Sequence, residues 1–145
     1  RTVAPRVIEA HNGAPLQTGC VYLAPGGDAH MEVAGSRSYH CSIKPGPLVN
    51  GHCPSVDLLF RSVARTAAAD SVGVILTGMG RDGADGLLAI RKAGGRTIGQ
   101  DEASSIVYGM PRIAQELGAV ERQLTLGKIG SEIVRLTNSS IAGVR

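Results

Sequence analysis

At 145 residues, with a formal net charge of +3, the chain is one domain or part of one. Three Tyr, one Phe and no Trp leave Val, Ile, Leu and Ala to build the core, and the scattered basic residues exclude the stripe or stacking platform of a nucleic-acid binder. No apolar run approaches the roughly 18 residues that a membrane span needs, and Cys20, Cys41 and Cys53 form no C-x-x-C pair, so the composition predicts no membrane insertion and a reducing cytoplasm.

The first residues hold a short extended segment, APRVIEA, and a turn at Asn12-Gly13. CVYLA (20–24) reads as a strand that ends at the turn PGGD. Two alternating runs, HMEV and SYHCSI, flank Ala34-Gly35-Ser36-Arg37 and predict an antiparallel β-hairpin, giving a hairpin region over about 20–44. KPGPLVNGHC (44–53) is a Pro/Gly-rich loop. Pro54-Ser55 opens a helix to about Ala69, with Val56, Leu59, Phe60 and Val63 on one stripe. The apolar run VGVIL is a strand that stops at a glycine turn. A helix follows over 83–93, then a Gly94-Gly95 stop and the strand RTIGQ. Residues 100–110 are irregular, and Pro111 starts a short helix to Leu117. AVERQLTL holds a last strand, and a final helix runs from Gly127 to about Leu136, leaving TNSSIAGVR as a frayed tail. Strand alternating with helix over about 54–136 argues a parallel sheet. The fold class is therefore α/β, a parallel-sheet, Rossmann-like or hydrolase-like domain with an appended antiparallel β-hairpin.

The turn after VGVIL carries one carboxylate, Asp82, and three readings compete for it. Gly78, Gly80 and Gly83 spell G-x-G-x-x-G between a strand and a helix. Asp101 and Glu102 follow about 20 residues on, as a dinucleotide fingerprint requires. A carboxylate beside a pyrophosphate is unfavourable, which counts against that reading. In the second reading Asp82 is a helix N-cap, with Asp85 in the first turn to suit the dipole. In the third, Asp82 is an enzyme acid that orients a histidine. Cys53 beside His52 makes a poor nucleophile and base, because adjacent side chains seldom point at one spot. No His/Cys/Asp set has metal-ligand spacing, so no metal or other cofactor is expected.

Four blocks in order carry a resemblance: YLAPGGDAHM from Tyr22, PSVDLLF from Pro54, LTGMGRDGADG from Leu76 and QDEASSIVYGMPR from Gln100. Together they resemble the catalytic domain of the chemotaxis protein-glutamate methylesterase (CheB) family, over roughly residues 6–135. The resemblance implies a Ser-His-Asp hydrolase of the α/β type. Its substrates would be glutamate γ-methyl esters on the cytoplasmic domains of chemoreceptors, with glutamine deamidation in some members. It places the triad acid at Asp82, and Met79 in the active-site turn with Gly78 and Gly80, whose backbone would serve the oxyanion. His30 and His52 fall inside or beside family blocks and are expected as cleft contacts. Ser104 and Ser105 sit outside any strand-to-helix elbow and are expected as caps or turn bonders.

The family's serine turn, G-x-S-T-G-G, and its histidine segment, Q-H-M, do not occur in the sequence. The chain starts at Arg1 without Met. Residues 1–145 are thus expected to be the C-terminal portion of a methylesterase catalytic domain with its N-terminal part missing. Such a fragment should be inactive alone and prone to self-association, and its parent could carry a receiver domain. Two other functions stay open: a nucleotide-binding module using the glycine turn, and a non-catalytic receptor-binding fragment.

Overall fold

The computed structural model describes residues 4–142 of the chain. Strands β1 (Arg6–Glu9) and β2 (Cys20–Leu23) pair in parallel, with Arg6 beside Cys20. Strands β3 (Ala29–Ala34) and β4 (His40–Pro45) form the antiparallel hairpin that the alternating runs predict. The strand at Cys20 falls in the hairpin region expected from the sequence, but it belongs to the other pair. That pairing joins two short extended segments through a coil, and nothing local in either segment encodes it.

Helix α1 (Val56–Thr66) follows the long loop, and a single 3-10 turn (Ala68–Asp70) leads into β5 (Val72–Ile75). Then come α2 (Ala84–Lys92), β6 (Arg96–Gln100), α3 (Met110–Glu116), β7 (Arg122–Leu124) and α4 (Leu126–Ala142). Strands β5, β6 and β7 form one parallel sheet in that order. Helices cover both of its faces. Ile75, Leu87, Ala114 and Val120 are buried together on the side of α2 and α3, with Phe60 of α1 packed against them. Ile98, Ile129 and Leu136 are buried on the α4 side, with Val72 and Val74 against them. A strand with apolar cover on both faces reads as a near-continuous hydrophobic run, which is why VGVIL looks as it does.

Helix α1 joins this sheet to the hairpin. Its Leu59 packs on the cluster of Ala10, Ala14, Met31 and Cys41, while the Ser62 hydroxyl accepts the backbone N–H of Val33 at 2.8 Å. The frayed tail expected beyond Leu136 is helical as far as Ala142. Hydroxyls there bond back to the helix: Thr137 donates to the Ile133 carbonyl at 3.0 Å, and Ser139 to the Arg135 carbonyl at 2.9 Å. Polar residues of low propensity are therefore carried along by the anchored turn before them.

Among the described residues, no strand pairs with the outer edge of β5 or adds to the β1–β2 pair. Val7, Val21 and Leu23 lie exposed on one face of that pair. No helix of the described residues is long and apolar enough to cross a membrane.

One ion-pair group ties the last helix down. Glu132 accepts from Arg135 at 2.7 and 2.9 Å and from Arg122 at 2.6 Å. The Arg135 hydrogen bonds, opposed by burial and aided by the Arg122 charge, lower its carboxyl from 4.5 to about 2. A depressed carboxyl contributes stability that is present above its ordinary value and lost as pH falls through the folded one. The melting temperature is expected to fall between pH 4.5 and about 2. In Glu132→Gln that fall should be shallower across a series of thermal melts. An unchanged slope would remove Glu132 from the account.

Candidate active site

The carboxyl ends of β5 and β6 carry the candidate site, and a polar lattice ties their two loops together. The fully buried Gln100 side chain accepts the Thr77 N–H at 2.8 Å and donates to the Ser104 carbonyl at 2.7 Å. The Thr77 hydroxyl accepts the Val107 N–H at 2.9 Å and donates to the Val107 carbonyl at 3.0 Å. Ser104 donates to Asp101 at 2.6 Å and accepts the Leu126 N–H at 3.0 Å, and Ser105 donates to the Asp101 carbonyl at 2.7 Å. Both serines are turn bonders, as expected. Asp101 is spent on that turn, where a dinucleotide reading needs it free for a ribose.

Asp82 lies at the end of the glycine turn and is buried. It does not cap the helix that follows it: the N-cap of α2 is Gly83, which makes no side-chain cap bond. This corrects the N-cap reading. The carboxylate turns instead to the start of α1. Its Oδ2 accepts the Val56 N–H at 2.7 Å. Its Oδ1 accepts the Ser55 hydroxyl at 2.8 Å, the Asp57 N–H at 3.2 Å and the Asn50 amide at 3.2 Å. An anion at a helix N-terminus is favoured by the free N–H groups and the dipole. Burial pushes the Asp82 carboxyl up, but the bonds from Val56, Ser55, Asn50 and Asp57 outweigh it and hold the group below its ordinary value. The carboxylate is therefore ionised at neutral pH.

Asp57 returns the favour. From the first turn of α1 its Oδ1 accepts the Gly86 N–H of α2 at 2.7 Å, and its Oδ2 accepts the Asn50 amide at 2.6 Å. The start of α1 is thus satisfied by an aspartate from the turn before α2, the start of α2 by an aspartate of α1, and Asn50 bridges the two carboxylates. A phosphate at the head of α2 would have to displace Asp57, so the glycine turn is not built as a nucleotide cradle. Arg81 pairs outward with Asp85 at 3.0 Å and does not offset either charge.

The other expected site residues divide. Met79 stands 80% exposed on the turn. The Gly78 N–H donates to the Val107 carbonyl at 3.0 Å, so it has no hydrogen to offer an oxyanion. The amides of Met79 and Gly80 have no hydrogen-bond partner among the described residues. His30 is buried with both ring nitrogens engaged: Nδ1 accepts the Ser55 N–H at 3.1 Å, and Nε2 bonds the Pro47 carbonyl at 2.8 Å. Those partners fit the tautomer that carries its hydrogen on Nε2. His30 thus supports Ser55, which in turn bonds Asp82, and has no free nitrogen for a base. His52 is exposed, and its backbone closes a turn with Val49. No histidine among the described residues bonds Asp82. Asn50, Ser55 and Asp57 escape the sequence reading as site residues. The signals are there in the turn-forming Asn50-Gly51 and the helix start Ser-x-Asp, but each reads locally as structure.

An ionised, buried carboxylate at the carboxyl end of a parallel strand defines an α/β protein whose polar centre sits where such folds place their chemistry. The CheB methylesterase family model matches residues 1–133, and the chain belongs to that family. A protein-glutamate methylesterase/protein-glutamine glutaminase of Agrobacterium fabrum is 57% identical over 143 residues, covering 99% of this chain and 41% of the relative. One from Caulobacter vibrioides is 55% identical over 139 residues, covering 96% of this chain and 40% of the relative. The crystal structure of the Thermotoga maritima CheB methylesterase catalytic domain matches with a TM-score of 0.84 at 31% identity, covering 88% of this chain and 68% of that one. The chain spans about two-fifths of the length of these curated relatives.

Proposed function

We propose that the protein carrying this chain is a protein-glutamate methylesterase acting on chemoreceptors in the cytoplasm, and that Asp82 is the acid of its Ser-His-Asp triad. The observation that carries the reading is the Asp82 carboxylate: buried, ionised and fixed by four donors, none of them a competing cation. The family's serine and histidine motifs are absent from these residues, so both groups are assigned to sequence outside the chain. The serine hydroxyl attacks the γ-ester carbonyl while the histidine takes its proton. The histidine then protonates the departing methoxide, and water hydrolyses the acyl-enzyme. Asp82 holds the imidazole in the required tautomer and stabilises its charged form. The free Met79 and Gly80 amides are the oxyanion donors on this side of the cleft. The relatives' names support glutamine deamidation by the same site. Their greater length leaves room for a receiver domain.

The test is methanol release from methylated receptor. The longer protein should release it, and the purified 145-residue chain should not. A longer protein without esterase activity overturns the reading. Turnover by the chain alone, lost in Asp82→Asn, would mean that the nucleophile and base lie within it.

A further inference from the structure

We propose that Asn50 is a positioning residue for Asp82: it is the donor that reaches the carboxylate from outside α1, and it holds the group so that its one open site, on Oδ2, is kept for the imidazole N–H of the triad. The proposal rests on the triad reading above and says how that triad is held.

Each carboxylate oxygen carries two lone pairs, and donors can share one. Oδ1 of Asp82 already takes three donors, from Ser55, Asp57 and Asn50, while Oδ2 takes one, from Val56. An incoming N–H has only Oδ2 to meet. Three of the four donors belong to a single rigid unit, the first turn of α1 and its N-cap. Among the described residues Asn50 is the only donor from elsewhere, so it alone fixes the carboxylate against rocking about that turn.

Its second contact makes it more than a fourth donor. The same amide nitrogen gives a hydrogen to Asp57 Oδ2 at 2.6 Å, and Asp57 is bonded to Gly86 in the first turn of the helix that follows Asp82. Two like charges brought together would repel. One amide with a hydrogen for each keeps them apart at a set distance. Asn50 is itself exposed and lies over the two buried carboxylates. Its backbone is left-handed, at φ 52°, a conformation that asparagine and glycine adopt readily. Asn50→Gly therefore removes the amide without straining the turn, and water can reach the vacated positions.

The test uses the full-length enzyme and compares Asn50→Gly with Asp82→Asn. We expect Asn50→Gly to lower kcat about ten- to a hundredfold, the scale of a misplaced catalytic group. KM should change little, and the melting temperature should stay near that of the parent. The low-field proton resonance of the imidazole N–H bonded to Asp82 should shift or broaden in Asn50→Gly and vanish in Asp82→Asn. A purely structural residue would move the melt and leave the resonance alone. Wild-type kcat and an unmoved resonance in Asn50→Gly, with Asp82→Asn inactive, would overturn the role of Asn50 and leave the triad standing. Near-normal turnover in Asp82→Asn would overturn the triad reading, and the Asn50 proposal with it. Should Asn50→Gly fail to fold, Asn50→Ser removes the amide without adding a charge beside the two carboxylates, and the same readouts decide.

Discussion

Asp82→Asn in the full-length enzyme should lower kcat by about 10⁴-fold, the loss seen when a triad aspartate becomes asparagine in serine proteases. The hydrogen-bond pattern says why, and on which atom. Three donors converge on Oδ1 and one on Oδ2. The asparagine will keep its carbonyl oxygen where three donors point and put its NH₂ in the Oδ2 position. There the NH₂ faces the Val56 N–H, donor against donor. It also presents hydrogens to the imidazole where an acceptor is required. The histidine then settles in the wrong tautomer. The structure also implies a cost in stability. One charge-assisted bond of a buried carboxylate, to the Val56 amide, is lost, worth about 1.5–3 kcal/mol, against a total stability of about 5–15 kcal/mol. The variant should still fold at room temperature while melting several degrees lower. Kinetics measured well below the melt separate the two effects. A lowered melt with near-normal turnover would leave Asp82 as a helix cap and nothing more.

The stability part of this effect has a pH signature. The Asp82 carboxyl is held below its ordinary value. Its contribution is therefore present above about pH 4, the value of an unperturbed aspartate, and is lost as pH falls through the folded value.

Much of the fold is legible because it is written in short-range periodicity. RTIGQ spans the same residues, 96–100, as the observed strand, since five residues centred on the β-branched Thr97 and Ile98, between a double glycine and a polar turn, are too few for a helix. The hairpin is legible from alternation on either side of a glycine loop. The β1–β2 pairing is not, because register between distant segments is set by what packs over them. The site is legible in its acid and illegible in its support. A capping rule is applied forward along the chain, so it assigns Asp82 to the helix it precedes. The structure instead hands it to a helix 26 residues earlier in sequence, at Val56. That exchange depends on α1 and α2 lying side by side, a tertiary fact. The resemblance identifies Asp82 without any of this, since a family motif records a position and not the bonds that hold it.

The closeness of α1 and α2 gives the second large effect, and it can be set against a matched control. Gly86 faces α1, and a Cβ there would lie 2.7 Å from the Phe60 Cβ and 3.0 Å from the Asp57 carbonyl oxygen. Replacing glycine by alanine inside a helix stabilises by about 1 kcal/mol through propensity. Overpacking a tight contact costs about 1–3 kcal/mol. The contact should win here, because the Asp57 atoms are backbone and cannot rotate away. Separating the helices would also stretch the bond from Gly86 to Asp57, at 2.7 Å the link that closes the aspartate circuit. Gly86→Ala is therefore expected to lower the melting temperature and to cut kcat, with little change in KM. In α4, a Cβ added at Gly130 would meet nothing within 4 Å, so only the propensity gain remains and Gly130→Ala should raise the melt. Thermal melts and steady-state kinetics on both variants of the full-length protein check the pair. Two raised melts would show that propensity, not the close approach of α1 and α2, decides the outcome at Gly86.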